Sequence, residues 1–249
     1  MKNKSTFSIP HSPFFSRMRP VVDKSPDRIR EMFDQISPRY DLLNHLLSGY
    51  SDVLWRRRAA KHCAGARRIL DVCSGTGDMA LELRRRWGAE VVGSDFALRM
   101  LEIARAKAAP DDAVRFQQAD TMRLPYRDAS FDAVTVAFGI RNVADTERGL
   151  REMVRVLRPG GRVVILEFSL PRNPLLRRMY LLYFGHVLPR IGRLIARSEI
   201  DAYKYLPDSV ARWPLPGDLK ALMERAGLAE VSYDLLFGGI AAIHVGTRT

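Results

Sequence analysis

The sequence predicts an α/β domain built on a mainly parallel sheet, and three observations support this. From residue 67 to 170 short apolar runs rich in Val and Ile alternate with amphipathic stretches. A glycine-containing turn follows the first run, and the C-terminal stretch holds two further runs joined by a glycine pair. Strands alternating with helical spacing mark βαβ units, and a run apolar on both faces belongs to a parallel sheet covered on two sides. A chain of 249 residues with 47% hydrophobic content supports one core with additions, so residues 25–249 read as a single domain. Residues 1–24, with Pro10, Pro13 and Pro20 among polar and aromatic residues, read as a mobile tail.

The elements follow in order. Ser25 caps a helix with Pro26 in its first turn, and "YDLLNHLL" and "DVLWRRRAAKHC" continue at helical spacing, so residues 25–66 form helices placed to cover an open sheet edge. The strands are "RRILDVC", "AEVVGSD", "AVRFQQA", "FDAVTVAFG" and "GRVVILEFS". Helices are expected at 77–87, 97–108, weakly at 121–125, and at 146–157, the last ended by "RPGG". Right-handed crossovers align the C-terminal ends of these strands along one edge, where a site is expected. Residues 172–212 form a helical lid inserted after the fifth strand, with "NPLLRRMYLLYFGHVLPRIGRLIA" broken near Pro189. "LAEVSYDLLFGGIAAIHVGT" reads as an antiparallel hairpin turning at Gly238 and Gly239.

Composition narrows the function classes. Cys63 and Cys73 lack any C-x-x-C spacing, so neither a disulfide framework nor a structural zinc site is indicated, no metal is expected, and a reducing cytoplasm suits the chain. No apolar run reaches the roughly 20 residues of a membrane span, and the N-terminus lacks a signal peptide's apolar centre. The net charge of +12 is uneven: residues 1–68 carry +8, residues 69–171 none, and residues 172–212 carry +5. Such basic flanks suit a solvated surface, an anionic membrane at about 1 kcal/mol per exposed cation, or a nucleic acid.

"ILDVCSGTGDMA" is a strand, a tight turn and a helix start in which Gly75, Gly77 and Ala80 satisfy G-x-G-x-x-G/A. A dinucleotide would place a pyrophosphate at that helix start, beside Asp71 and Asp78, where like charges repel. S-adenosylmethionine (SAM) brings an ammonium and a sulfonium instead, which carboxylates stabilise. Asp95 ends the second strand, placed for ribose hydroxyls, and Asp120 with Thr121 ends the third, placed for the adenine amine. A short-chain dehydrogenase would also need Y-x-x-x-K, and no tyrosine here has a lysine four residues later.

"DVCSGTGD", "SFDAVTVAFGIRNVAD", "VLRPGGRVVILEFSLP", "HVLPRIGRLIA", "AYKYLPDSV" and "FGGIAAIHVG", with the N-terminal "MFDQISPRYDLLNHLLSGYSDVLWRRRA", together resemble the menaquinone and ubiquinone biosynthesis C-methyltransferases over about residues 26–248. The resemblance implies the seven-stranded SAM-methyltransferase fold, SAM as methyl donor, and methylation of a ring carbon of a polyprenylated quinol. It implies cofactor contacts at Thr76, Asp95, Asp120 and Thr121, and Asp71, Ser74, Gly75, Gly77, Phe96 and Ala137 are expected beside them. Two positions depart from the pattern: Cys73 stands where the general SAM loop has its first glycine, and Ala137 where some relatives carry a serine. Demethylmenaquinol is the first acceptor implied and 2-polyprenyl-6-methoxybenzoquinol the second. A SAM-binding interaction protein without turnover and a nucleic-acid methyltransferase are the alternatives, the second disfavoured by the absence of an N-P-P-Y-like segment after the fourth strand. A peripheral contact with the inner face of an anionic membrane and a homodimer are further expectations; a nucleic-acid partner is not.

A quinol carbon is a weak nucleophile until the neighbouring hydroxyl ionises. Taking a phenol from about 10 to about 7 requires roughly 4 kcal/mol, and one charge-assisted hydrogen bond supplies about 1.5–3 kcal/mol. Arg141, just beyond the fourth strand, is therefore expected to stabilise the phenolate with help. Asn142 beside it and Tyr40 from the N-terminal helices are expected to orient the water that removes the proton. An ion pair of Arg141 with Asp145 is the alternative role, and His186 is a rival base.

Overall fold

In the computed structural model, which describes residues 26–37, 40–109, 113–183 and 200–249, the alternating runs close into one seven-stranded sheet. The strands are β1 (Arg68–Val72), β2 (Glu90–Asp95), β3 (Val114–Gln118), β4 (Phe131–Ala137), β5 (Leu157–Phe168), β6 (Leu228–Leu236) and β7 (Ala241–Arg248). Their order is β3-β2-β1-β4-β5-β7-β6. The first five run parallel, and β7 lies antiparallel between β5 and β6. Strand order reverses between β1 and β4, and such a switch point opens a crevice at the strands' C-terminal ends.

The sheet is covered on both faces. Helices α1 (Pro26–Ile36), α2 (Tyr40–Ser48) and α3 (Ser51–Ala60) precede it, and α4 (Asp78–Trp87), α5 (Leu98–Lys107) and α6 (Thr146–Val156) join its parallel strands. On one face Ile69, Val91, Ala133 and Val164 pack with Trp55, Leu83 and Leu101. On the other, Leu70, Val134 and Ile165 pack with Leu150, Met153, Leu219 and Met223. Each such buried Leu, Ile or Met contributes about 1.5–3 kcal/mol, so the central strands form the rigid part of the molecule. After β5 come α7 (Pro174–Leu182) and α8 (Ile200–Arg212), then α9 (Pro216–Arg225).

Three readings change. No helix forms at 121–125: Asp120 accepts the Met122 N–H at 2.8 Å and bridges to Arg123, while Pro125 disfavours helical backbone before it. The fifth strand begins at Leu157, four residues early, and "RPGG" is absorbed as an irregularity in its pairing with β4. Helix α9, with Pro216 in its first turn, has no counterpart among the expected elements. The N-terminal tail, Ser25, His186 and the break near Pro189 lie outside the described residues.

Candidate active site

Two cavities meet at the C-terminal edge of the sheet. The smaller, about 140 Å³, is lined by Gly75, Asp95, Phe96, Met100, Asp120, Thr121, Met122, Ala137 and Asn142, and roofed by Ile29, Arg30 and Phe33 of α1. Asp95 is its anchor. One carboxylate oxygen accepts the Gly75 N–H and the other the Ala97 N–H, each at 2.9 Å, so this side chain joins the loop after β1 to the start of α5. Burial raises its pKa, against those backbone hydrogen bonds. Thr121 is buried, its hydroxyl 3.4 Å from the Cys73 sulfur.

Other glycine-loop residues support the cavity without lining it. Asp71, wholly buried, accepts hydrogen bonds from Ser74 and Thr135, both at 2.7 Å. Thr76, 2% exposed, donates to Asp41 and ties the loop to α2. Gly77 (φ +86°) starts α4, and a β-carbon there would lie 2.8 Å from the Phe116 ring. Asp78 turns to Lys107 at 2.8 Å and to Arg56 at 3.7 Å. The two carboxylates that the sequence sets against a pyrophosphate are thus both engaged elsewhere, one under the loop and one toward α3 and α5.

Burial pushes the Asp71 carboxyl up to about 6, against the Ser74 and Thr135 hydrogen bonds and the Arg56 charge. The native state then holds a proton between about pH 4 and 6 that the unfolded chain releases, so stability falls as pH rises through that window, by about 3 kcal/mol. Asp71→Asn is expected to flatten this slope in urea melts; an unaltered slope contradicts the assignment.

The rim of the cavity is strained. Cys73 (φ 51°) and Phe138 (φ 61°) hold left-handed backbone at the ends of β1 and β4, a conformation that costs non-glycine residues of order 1–3 kcal/mol and gathers at functional sites. This explains why the general pattern has glycine where Cys73 stands. The two ends also approach so closely that a β-carbon on Gly139 would lie 2.3 Å from that of Cys73. Gly139→Ala is expected to displace the Cys73 loop and weaken SAM binding at least about tenfold, given the kcal/mol scale of such overpacking. Wild-type affinity by calorimetry contradicts this.

The larger cavity, about 370 Å³, has mostly apolar walls: Met32 and Ile36 of α1, Trp55 of α3, Phe168, Leu176, Met179 and Tyr180 near α7, Leu206 of α8, and Phe237. Phe33, Tyr40 and Phe138 line both cavities. Arg141 lines the larger one and is 6% exposed. Its Nη1 donates to Glu167 and to the Phe138 carbonyl, both at 2.6 Å. Its Nε reaches Ser209 at 3.4 Å and its guanidinium lies 5.3 Å from the Phe168 ring centroid. Nη2 makes no hydrogen bond among the described residues, which leaves two donors to spend. Burial raises the Tyr40 pKa, opposed by an Asn44 hydrogen bond and the Arg141 charge.

Asn142 parts from Arg141. It lines the smaller cavity, and its Oδ1 accepts the Tyr205 hydroxyl at 2.9 Å. Both lie on one 3₁₀ turn, Ile140–Asn142, where neighbours diverge by about a third of a turn. Asp145 is not the partner of Arg141: it caps α6, accepting the Arg148 N–H at 2.9 Å. Sequence reasoning misses Glu167, Ser209 and Tyr205. The signal for Glu167 is an acid at the close of an apolar run, "VVILEF"; that for Tyr205 and Ser209 is their place in "AYKYLPDSV".

A cavity at the switch point, meeting a larger, mostly apolar one whose wall carries a buried cation, agrees with the comparisons with known proteins. Residues 21–248 match the ubiE/COQ5 methyltransferase family. The chain belongs to that family. Over 221 residues it is 54% identical to the demethylmenaquinone methyltransferase of Thermus thermophilus, covering 87% of this chain and all of that one. It is 50% identical to the demethylmenaquinone methyltransferase of Deinococcus radiodurans, covering 92% and 98%. A ubiquinone/menaquinone biosynthesis C-methyltransferase UbiE of a Geobacter species is 47% identical over 92% of this chain and 99% of its own. Among solved structures, a Thermotoga maritima SAM-dependent methyltransferase superposes with TM-score 0.66 at 22% identity, covering 88% of this chain and 99% of that one, which concerns the fold alone. As a member of the ubiE/COQ5 methyltransferase family this chain is a SAM-dependent methyltransferase. The smaller cavity fits that cofactor: among its described lining residues two carboxylates, Asp95 and Asp120, face one cation, Arg30, a balance suited to a sulfonium.

Proposed function

We propose that the acceptor is a polyprenylated quinol, demethylmenaquinol first, methylated on a ring carbon. The observation that carries this reading is the apolar chamber joined to the cofactor cavity at Tyr40 and Phe138, with Arg141 in its wall. The names of the Thermus thermophilus and Deinococcus radiodurans relatives support it. Asp95 would accept the ribose hydroxyls, with Asp120 and Thr121 toward the adenine, Gly75, Phe96 and Ala137 along the wall, and Asp71, Ser74, Thr76 and Gly77 holding the loop. SAM, when bound, supplies an electrophilic methyl group. Arg141 Nη2 hydrogen-bonds the ring oxygen and stabilises its anion, while Glu167 fixes the guanidinium. The Tyr40 hydroxyl and the Asn142 amide hold a water that accepts the phenolic proton. The ring carbon beside that oxygen would form the new C–C bond to the methyl carbon as the sulfur–methyl bond breaks and S-adenosylhomocysteine leaves, and would then lose its hydrogen as a proton.

The prenyl tail leaves through the chamber's apolar side. On α7, Leu175, Met179 and Leu182 are 69%, 59% and 45% exposed at helical spacing, and Met179 also lines the chamber. Exposed Arg177 and Arg178 share this helix, and Phe237 is exposed nearby. No helix among the described residues is long and apolar enough to cross a membrane. This face suits peripheral contact with anionic lipid, on the cytoplasmic side. The protein is expected to sediment with anionic vesicles, and Leu175→Glu with Met179→Glu to weaken this about tenfold or more; failure of the wild type to sediment removes the membrane contact.

The similarity to a ubiquinone/menaquinone C-methyltransferase keeps a benzoquinol as second acceptor. Labelled SAM offered with each reduced quinol decides. Faster transfer to demethylmenaquinol is expected; transfer to neither overturns the reading.

A further inference from the structure

A second buried ion pair lies in the wall of the larger chamber. Asp52 and Arg56 of α3 are 3% and 7% exposed and both line it. The Arg56 guanidinium lies 5.5 Å from the centroid of the Phe138 ring, which packs against Phe168 at 4.6 Å, itself beneath Arg141. Two Arg–carboxylate pairs thus flank one aromatic pair in a single apolar chamber. The Asp52 carboxylate is held on three sides. Oδ2 accepts from Arg56 Nη1 and bonds His45 Nδ1 at 2.9 Å, and Oδ1 accepts the Ser48 hydroxyl at 2.7 Å. A carboxylate has about four lone-pair sites, so with respect to the described residues one acceptor position remains on Oδ1.

We propose that Asp52, fixed by His45, Ser48 and Arg56, accepts a hydrogen bond from the ring hydroxyl opposite the one at Arg141, and so selects the reduced acceptor over the oxidised quinone. This rests on the larger chamber being the acceptor site. A quinol hydroxyl donates to the free lone pair of Asp52. A quinone carbonyl cannot donate, and against that acceptor-only oxygen in a mostly apolar chamber it leaves two buried polar atoms unmatched. The selection has a use, since only the reduced ring is nucleophilic and an oxidised ring in the chamber blocks turnover. His45 and Ser48 are positioning residues here; Asp52 determines specificity.

Trp55 lines the same chamber, so its fluorescence reports binding. The probe is a 1,4-naphthoquinone without the ring methyl and carrying one isoprenoid unit, oxidised or reduced with dithionite, titrated in the presence of S-adenosylhomocysteine. The wild type is expected to bind the quinol about 10- to 100-fold more tightly than the quinone, the range of one hydrogen bond to a charged group. In Asp52→Asn, whose amide can donate to a carbonyl, that ratio is expected to fall toward one. Should the single variant fail to fold, the neutral pair Asp52→Asn with Arg56→Gln is expected to lose the preference equally. A wild-type ratio near one, or an unchanged ratio in a folded variant, overturns the proposal. Wild-type methyl transfer to the quinol without redox preference sinks this inference alone; absence of transfer sinks the acceptor reading beneath it.

Discussion

Replacing Arg141 with methionine is expected to lower kcat by about 10²- to 10³-fold, the cost of removing one preorganised donor from a developing oxyanion, while SAM affinity stays at the wild-type value. The separation follows from geometry, because Arg141 lines the larger cavity and is not among the residues lining the smaller one. Its charge alone does not account for the effect: Glu167 at 2.6 Å neutralises much of it. What a phenolate bound there would gain is a pair of Nη2 donors aimed by three other contacts, so Arg141→Lys, which loses the planar fork, is expected to recover little. Since methionine leaves Glu167 unpaired, Arg141→Met with Glu167→Gln serves as the stability control. Wild-type turnover in either form contradicts the role.

Removing Glu167 should cost the fold more than any surface change. The pair is 6% and 1% exposed, and Glu167 also accepts the Phe168 N–H at 2.8 Å. Burial raises the Glu167 pKa, opposed first by the Arg141 charge, so each partner's ionised state depends on the other. Glu167→Ala strands a buried guanidinium, and urea unfolding is expected to show a loss of about 3–5 kcal/mol. A loss under about 1 kcal/mol, the worth of an exposed pair, contradicts the burial argument.

The sheet was legible because parallel strands covered on both faces write continuous apolar runs, and because glycines punctuate their ends. The short turn at 121–125 was not, since its backbone is set by the Asp120 side chain and Pro125 rather than by periodicity. Helix α9 carries its own start signal in Pro216, yet follows a segment, residues 172–212, whose aromatic residues dominate its pattern. Within the site, position along a strand decides what an acid does. Asp95 is the last residue of β2 and lines the smaller cavity; Asp71 is one short of the end of β1 and sits wholly inside. Thr76 could be read as a loop residue, but its partner Asp41 comes from a helix 35 positions earlier. Long-range pairs such as Arg141–Glu167, and the separation of Arg141 from Asn142 into two cavities, need the crossing of elements that one-dimensional spacing does not contain.

On the proposed function, the chamber ionises a ring hydroxyl beside the cofactor. An acceptor enriched in ¹³C at its hydroxyl-bearing carbon, bound with S-adenosylhomocysteine, reports that ionisation by its chemical shift as pH is varied. The bound hydroxyl is expected to titrate near pH 7, about three units below the free phenol, and to return toward about 10 in Arg141→Met. A bound hydroxyl that stays protonated up to about pH 10 in the wild type rules out a phenolate held by Arg141.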